Sequence, residues 1–199
     1  MSKNGAFIVI EGLDGSGKTT QARILFRNLC KSHKTFLTAE PSNGKIGKFI
    51  RKRILYDKNR MQPTVEALLF AADRLDHVQN EIIPALNRNE IVISDRYVYS
   101  SLAYQGTSGL DLKWIEAVNL HALKPDLALL IDVDPKVVLQ RIRRKRSIME
   151  NMETQESVRN IYLNFVEKGD LERIAGDQPR KAVSSEVLEK VLTFLNSDL

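Results

Sequence analysis

The apolar run Ala6-Phe7-Ile8-Val9-Ile10 leads almost directly into Gly12-Leu13-Asp14-Gly15-Ser16-Gly17-Lys18-Thr19, which fits G-x-x-x-x-G-K-[ST] at every fixed position. That join predicts a buried strand, a tight glycine-rich turn and a helix beginning near Lys18. The glycines let backbone N–H groups converge on an anion, and the new helix adds its unpaired donors and positive dipole end. Lys18 would supply a point charge for the β- and γ-phosphates, and the Thr19 hydroxyl a hard oxygen for Mg²⁺. Gly12, Asp14, Gly15, Ser16, Gly17, Lys18, Thr19 and Thr20 are therefore the expected cradle of a nucleoside triphosphate, ATP. The same glycines could in principle serve only as a turn joining strand to helix. The loop names a phosphate donor and says nothing about what receives the phosphate.

Length and composition narrow the class. A chain of 199 residues, 43% hydrophobic and 28% charged, can bury one substantial core. No apolar run approaches the roughly 20 residues that span a bilayer. The first five residues lead straight into the first strand, so no signal peptide is expected. Cys30 is the only cysteine. No intrachain disulfide can form, an intracellular, cytoplasmic location is expected, and Cys30 is expected to act as a small buried hydrophobe on the first helix. The net charge of +5 is concentrated in residues 45–53 and 141–146. Without a basic tail or a basic run interleaved with aromatics, this favours a cleft for several phosphate groups over polymeric nucleic acid.

Apolar, β-rich segments alternate with longer helix-patterned ones. Strands are expected at 6–11, 35–38, 91–94 and 127–132, with a weaker one at 171–174. Their unbroken apolar character suggests burial on both faces. Helices are expected at 18–31, 46–55, 65–86, 112–123, 136–144, 154–168 and 186–195. Asp111 is the N-cap candidate for the fourth, and Ser184 or Ser185 for the last. The βα alternation implies an α/β fold, a P-loop NTPase-type three-layer sandwich with a parallel sheet between helices, organised as a single domain over 1–199. Ligands of such sheets bind beyond the carboxyl ends of the strands. Those ends carry Glu11, Glu40, Asp95 and Asp132, three of which are expected near the phosphate and metal positions.

The third of these ends is the Asp95-Arg96 pair. Asp95 stands where a Mg²⁺-holding carboxylate is expected, directly or through water. The planar fork of Arg96 suits phosphoryl oxygens. The alternative is a surface ion pair of little consequence.

Here the sequence resembles a known family. The stretch from Asp95-Arg96-Tyr97 through Ser100-Ser101 to Ala103-Tyr104-Gln105 is similar to the DR-[YFH]-x-x-S-x-x-A-[YF]-Q element of thymidylate kinases. Leu69-Phe70-Ala71-Ala72-Asp73-Arg74 resembles that family's L-F-x-A-[DN]-R segment, and Glu40-Pro41 its Glu-Pro turn. The resemblance runs from residue 6 to about 190. It implies ATP-dependent phosphorylation of dTMP to dTDP with Mg²⁺, by an enzyme that is usually a homodimer.

In that reading Phe70 stacks on thymine and Arg74 donates to a base carbonyl, while Ser101 and Gln105 meet the base edge. Tyr104 packs where a 2′-hydroxyl would sit, and Asp14 reaches the sugar 3′-hydroxyl. Arg51 and Arg96 hold the acceptor phosphate. Read alone, Phe70 could be simple core, Asp14 a turn former, and Arg51 part of a solvated basic face. Residues 173–177 resemble the loop that contacts adenine through its backbone, or form a plain turn. No spacing among His33, His77 and His121 suggests a metal site, and none is given a catalytic part.

Arg141-Ile142-Arg143-Arg144-Lys145-Arg146 packs five cations into six residues. Dipole compensation at a helix end explains one or two. In the family's terms this is the lid, about 141–153. Some members carry an arginine in the P-loop after the acidic residue; this chain has Gly15 there. The charge of the transferred phosphoryl then falls to the lid, with Arg143 and Arg146 as the candidates beside Lys18 and Arg96. The sequence leaves two other readings open. One is a different nucleoside or deoxynucleotide kinase on the same scaffold, and the other a nucleotide-dependent switch.

Overall fold

The computed structural model describes residues 5–55, 61–141 and 151–197. Five parallel strands form one sheet: β1 (Ala6–Gly12), β2 (Thr35–Ala39), β3 (Ile91–Asp95), β4 (Leu127–Asp132) and β5 (Glu172–Ala175), in the order β2-β3-β1-β4-β5. β1 is central and every one of its residues is buried, as the apolar run 6–10 requires, with the carboxylate of Glu11 buried after it. The register pairs Ile10 with Asp95 and Gly12 with Ile131. The glycine-rich loop, the Asp95-Arg96 pair and the end of β4 therefore leave the sheet side by side. After β1 the chain winds toward β2, and after β3 it crosses to β4, so the strand order reverses beside the end of β1. That is the place for a ligand in a sheet of this kind.

Helices cover the sheet: α1 (Lys18–Leu29), α2 (Lys45–Ile50), α3 (Pro63–His77), α4 (Ile83–Asn87), α5 (Val98–Thr107), α6 (Leu112–Val118), α7 (Pro135–Arg141), α8 (Met152–Glu167) and α9 (Arg180–Ser197). A π-helical turn at Arg51–Leu55 extends α2, and another at Val78–Ile82 joins α3 to α4. The expected helix over 65–86 is thus one rod from Pro63 to Asn87 with a widened turn inside it. Pro63 suits the first helical position, where no backbone donor is lost. Asp111 caps α6 as expected, its carboxylate accepting from Lys113 N at 3.0 Å.

Four local expectations are corrected. Cys30 is exposed: it closes α1 just off the stripe formed by Ala22, Leu25 and Leu29, so it does not pack as a core hydrophobe. Ser184 and Ser185 do not start the last helix, which begins at Arg180. The Ser184 hydroxyl lies inside it and donates to Gln21 Oε1 (2.9 Å) on α1 and to the Arg180 carbonyl. α6 stops at Val118, several residues before the expected end at 123. Finally, α5 occupies a stretch where no helix was expected. Its serines, tyrosines and glycine are indifferent helix formers, and tertiary packing against α8 and α6 fixes it instead.

Candidate active site

The loop after β1 has the curvature that an anion cradle needs. Gly12, Gly15 and Gly17 all have positive φ (149°, 87° and 98°). A Cβ on Gly12 would lie 2.7 Å from the Ile131 carbonyl, so only glycine lets the loop pass that close to β4. Lys18, buried at the start of α1, reaches back to the Leu13 carbonyl (3.1 Å) and to Asp14 Oδ1 (3.3 Å). Burial pulls its ammonium down from the ordinary lysine value and Arg96 adds to the effect, against Asp14 and Asp95. Ser16 is buried, while Gly15, Thr19 and Thr20 are exposed around the loop mouth.

At the end of β3, Thr19 Oγ1 donates to Asp95 Oδ2, while Asp95 Oδ1 and Ser16 Oγ are buried with no partner among the described residues. The Thr19 hydroxyl and the Asp95 carboxylate, one oxygen of which is unpartnered among the described residues, are the kind of hard-oxygen donors that Mg²⁺ takes alongside phosphates, so the residues fit the ion. Of the four strand-end carboxylates, Asp95 stands at that position. Glu11 is taken up by α5 and α8, Glu40 by Arg74, and Asp132 by Arg159 Nε and Arg173 Nη2, each at 2.6 Å. The expectation that three of them gather at the phosphates is corrected: buried carboxylates at strand ends attract partners from the covering helices as readily as they face a ligand.

Arg96 occupies the left-handed region, with φ 76°, which a non-glycine residue adopts only when its surroundings hold it there. Its guanidinium donates through Nη2 to Asp14 Oδ1 and through Nη1 to Ser100 Oγ (2.7 Å), and lies 5.0 Å from the Tyr104 ring centroid. Burial raises the Asp14 carboxyl, but Arg96 and Lys18 outweigh it and hold Asp14 well below the usual carboxylate range. The Tyr104 hydroxyl, pushed up to about 12 chiefly by burial, stays neutral and accepts from Asp14 N at 3.1 Å. One guanidinium thus joins the phosphate loop to α5.

α5 and α3 pack against each other and carry the other expected site residues. Phe70 is half-buried on α3, and Arg74, one turn on, is almost fully buried. Arg74 donates through Nε (3.0 Å) and Nη2 (2.7 Å) to Glu40 Oε2, through Nη2 to Ser101 Oγ (3.0 Å), and through Nη1 to Asn119 Oδ1. Of its five N–H groups, one on Nη1 is left among the described residues. Gln105 is buried one turn after Ser101 in α5, and its Oε1 has no partner among the described residues.

The Glu40-Pro41 peptide is cis. Arg51 binds the turn that follows, donating to the Pro41 and Ser42 carbonyls and to Asn43 Oδ1 (3.3 Å). Asp73 fixes the same turn, accepting from Ser42 N (2.7 Å) and Ser42 Oγ (2.6 Å). Gly47 brings α2 against it: a Cβ there would meet the Ser42 carbonyl oxygen at 2.1 Å.

Asp73, Asn119, Ser42 and His77 were missing from the sequence-derived set of site residues. His77 is buried, with Nδ1 3.3 Å from Glu40 Oε1 and Nε2 2.7 Å from Thr38 Oγ1. His77 follows Arg74 by three residues and Asp73 by four along α3, and that spacing was the available signal for it, since residues three or four apart share a face. Arg143 and Arg146 lie outside the described residues. At the borders of that segment Arg141 donates to the Gly176 carbonyl (3.3 Å), and Asn151 caps α8 by accepting from Thr154 N (2.8 Å). Gly176 also donates to the Asp132 carbonyl at 2.7 Å, pinning the loop after β5 to β4.

A parallel sheet in this order, with a Gly-Lys-Thr loop after its central strand and a carboxylate and an arginine at the next, defines a P-loop nucleotide-binding α/β protein. Among the described residues, no helix is long and apolar enough to cross a membrane. The family described as thymidylate kinase matches residues 10–187, and the chain belongs to that family of phosphotransferases. It is 47% identical over 173 residues to a probable thymidylate kinase of Pyrococcus horikoshii, covering 82% of this chain and 83% of the relative. It is 38% identical over 202 residues to one of Pyrococcus abyssi (98% of each chain), and 40% identical over 191 residues to one of Methanocaldococcus jannaschii (96% of each).

Proposed function

We propose that this protein transfers the γ-phosphoryl of ATP to dTMP, giving ADP and dTDP. The observation that carries the reading is Arg96, held in a left-handed conformation between Asp14 of the phosphate loop and Ser100 of α5, the helix that also bears Ser101, Tyr104 and Gln105. A guanidinium placed there touches donor and acceptor phosphates together. An oxygen of the dTMP phosphate attacks the γ-phosphorus, and the bond from that phosphorus to the β–γ bridging oxygen breaks. The attacking oxygen is already ionised, so the reaction needs position and charge rather than a strong base.

Lys18 and the loop N–H groups bind the donor phosphates. Thr19 and Asp95 would hold Mg²⁺, which when bound offsets phosphate charge. On the acceptor side Phe70 stacks on the base, Arg74 offers its remaining N–H to a base carbonyl, Ser101 and Gln105 meet the base edge, and Arg51 with the Glu40-Pro41 turn lies toward the acceptor phosphate. Tyr104 closes the space beside the sugar and favours a deoxynucleotide.

The test is a steady-state assay with ATP, Mg²⁺ and a panel of nucleoside monophosphates and nucleosides. dTMP should be the best acceptor and dUMP a weaker one. Turnover of AMP or thymidine with dTMP ignored overturns the reading, and so does ADP formation that is indifferent to any added monophosphate. With Gly15 in the loop, the cations that meet the transferred phosphoryl come from Arg143 and Arg146. Arg143→Ala and Arg146→Ala, made singly and together, should lower kcat, by about 10² or more in the double variant. An unchanged kcat in the double variant removes the lid from the mechanism.

A further inference from the structure

Glu11 is a fully buried carboxylate at the end of β1, one residue before the phosphate loop. Its two oxygens divide their partners by type. Oε1 accepts from the backbone N–H groups of Tyr97 (2.8 Å) and Ser100 (3.2 Å), at the start of α5. Oε2 accepts from the Ser100 hydroxyl (2.6 Å) and the Tyr162 hydroxyl (3.0 Å), the latter on α8. Burial pushes the carboxyl up from its ordinary value, opposed by the Ser100 bond and the nearby Arg96 charge. A group so costly to bury, with four donors aimed at it, needs an account beyond filling the core.

The Ser100 hydroxyl supplies one. It has a single proton, and that proton goes to Glu11 Oε2. Its lone pairs are then turned toward Arg96, whose Nη1 donates to Ser100 Oγ at 2.7 Å. We propose that Glu11 is a positioning residue for Arg96: its Oε2 orients the Ser100 hydroxyl as an acceptor, fixing the guanidinium that spans the phosphate loop and α5. The proposal rests on the phosphotransfer role given to Arg96. Arg96 also has Asp14 and the Tyr104 ring to hold it, so Glu11 sharpens its placement rather than supplying all of it. Through Tyr162 the same carboxylate ties α8, the first described element after the lid region, to the phosphate-gripping arginine.

Glu11→Gln tests this with almost no change of shape. The glutamine oxygen can keep the two backbone N–H donors, but its amide nitrogen then faces the two hydroxyls as a donor. Ser100 Oγ must then accept from it, so its proton leaves the Glu11 side, toward the Tyr162 hydroxyl 3.0 Å away or toward Arg96, and its lone pairs are no longer kept for the guanidinium alone. Expected is a kcat lowered about tenfold or more, with KM for ATP within about threefold and the thermal midpoint close to wild type. The readout that a purely structural role would not move is a double-mutant cycle with Arg96→Ala. Glu11→Gln should change kcat by less than about twofold when Arg96 is absent. Equal effects in both backgrounds overturn the proposal.

Should Glu11→Gln fail to fold, Ser100→Ala replaces it in the same cycle, since it deletes the hydroxyl link alone and leaves Glu11 its backbone donors and Tyr162. The cycle is run on whichever monophosphate the wild-type chain phosphorylates. An unexpected acceptor therefore overturns the functional reading, while additivity on any acceptor overturns the role given to Glu11.

Discussion

Arg96→Ala should lower kcat by about 10³ while leaving KM for ATP within about threefold of wild type. The groups proposed to hold the donor phosphates, Lys18, the loop N–H groups and the start of α1, all remain in this variant. What disappears is the guanidinium that touches Asp14 of the phosphate loop and Ser100 on α5. Such a contact counts most when charge moves from one phosphate to the next, so the loss falls on turnover. Steady-state kinetics with ATP varied at saturating dTMP separates the two constants. A kcat within tenfold of wild type would remove Arg96 from the transferring machinery. Arg96→Lys should recover little, because an ammonium cannot donate in two directions with the guanidinium's spacing.

The second large effect is on stability. Arg74→Ala should destabilise the protein by about 3–5 kcal/mol, the usual result of stranding a buried charge. The Glu40 and Arg74 side chains are only 4% and 2% exposed. Without the guanidinium, Glu40 Oε2 loses both of its charged donors, and Asn119 and Ser101 lose a partner as well. For a chain of this length the thermal midpoint should fall by roughly 10 °C, as read by scanning calorimetry or circular dichroism. Adding Glu40→Gln to Arg74→Ala should recover part of that fall, because the stranded charge is then gone. A midpoint within about 3 °C of wild type in the single variant would mean that Glu40 is not held by Arg74. In either variant dTMP should bind poorly, since the N–H proposed to meet the base carbonyl is lost.

The parts of the site written in contiguous residues were legible in the sequence. The phosphate loop announces its strand, its turn and its helix within fourteen residues (6–19), because backbone curvature there depends on glycines at fixed places. β1, β3 and β4 were equally readable, since two-sided burial leaves apolar runs, whereas the edge strands β2 and β5 are only partly buried, against the expectation of burial on both faces. What escaped was assembled from distant positions. Glu11 meets Ser100 and Tyr162, Asp73 meets Ser42, and Asn119 meets Arg74, across separations of 31 to 151 residues. No local pattern records such pairs. α5 was missed for a related reason: buried Ser101 and Gln105 blur the apolar stripe by which a helix is recognised. Cys30 and Ser184 show the converse error. Residue type set the expectation, whereas the turn of helix on which each residue falls set the outcome.

Gly47 carries no functional group and would be passed over in any inventory of catalytic or binding chemistry. Yet α2 lies so close to the Ser42 backbone that even a methyl group at position 47 would require the helix or the turn to move. Arg51 is four residues on, and three of its hydrogen bonds end on that turn. In a saturation mutagenesis screen scored by growth or turnover, position 47 would therefore rank with the charged residues of the cleft. The intolerance would come from lost alignment between Arg51 and the Glu40-Pro41-Ser42 turn, and a chemical reading of the screen would misplace an active-site group where the fold has only a seat.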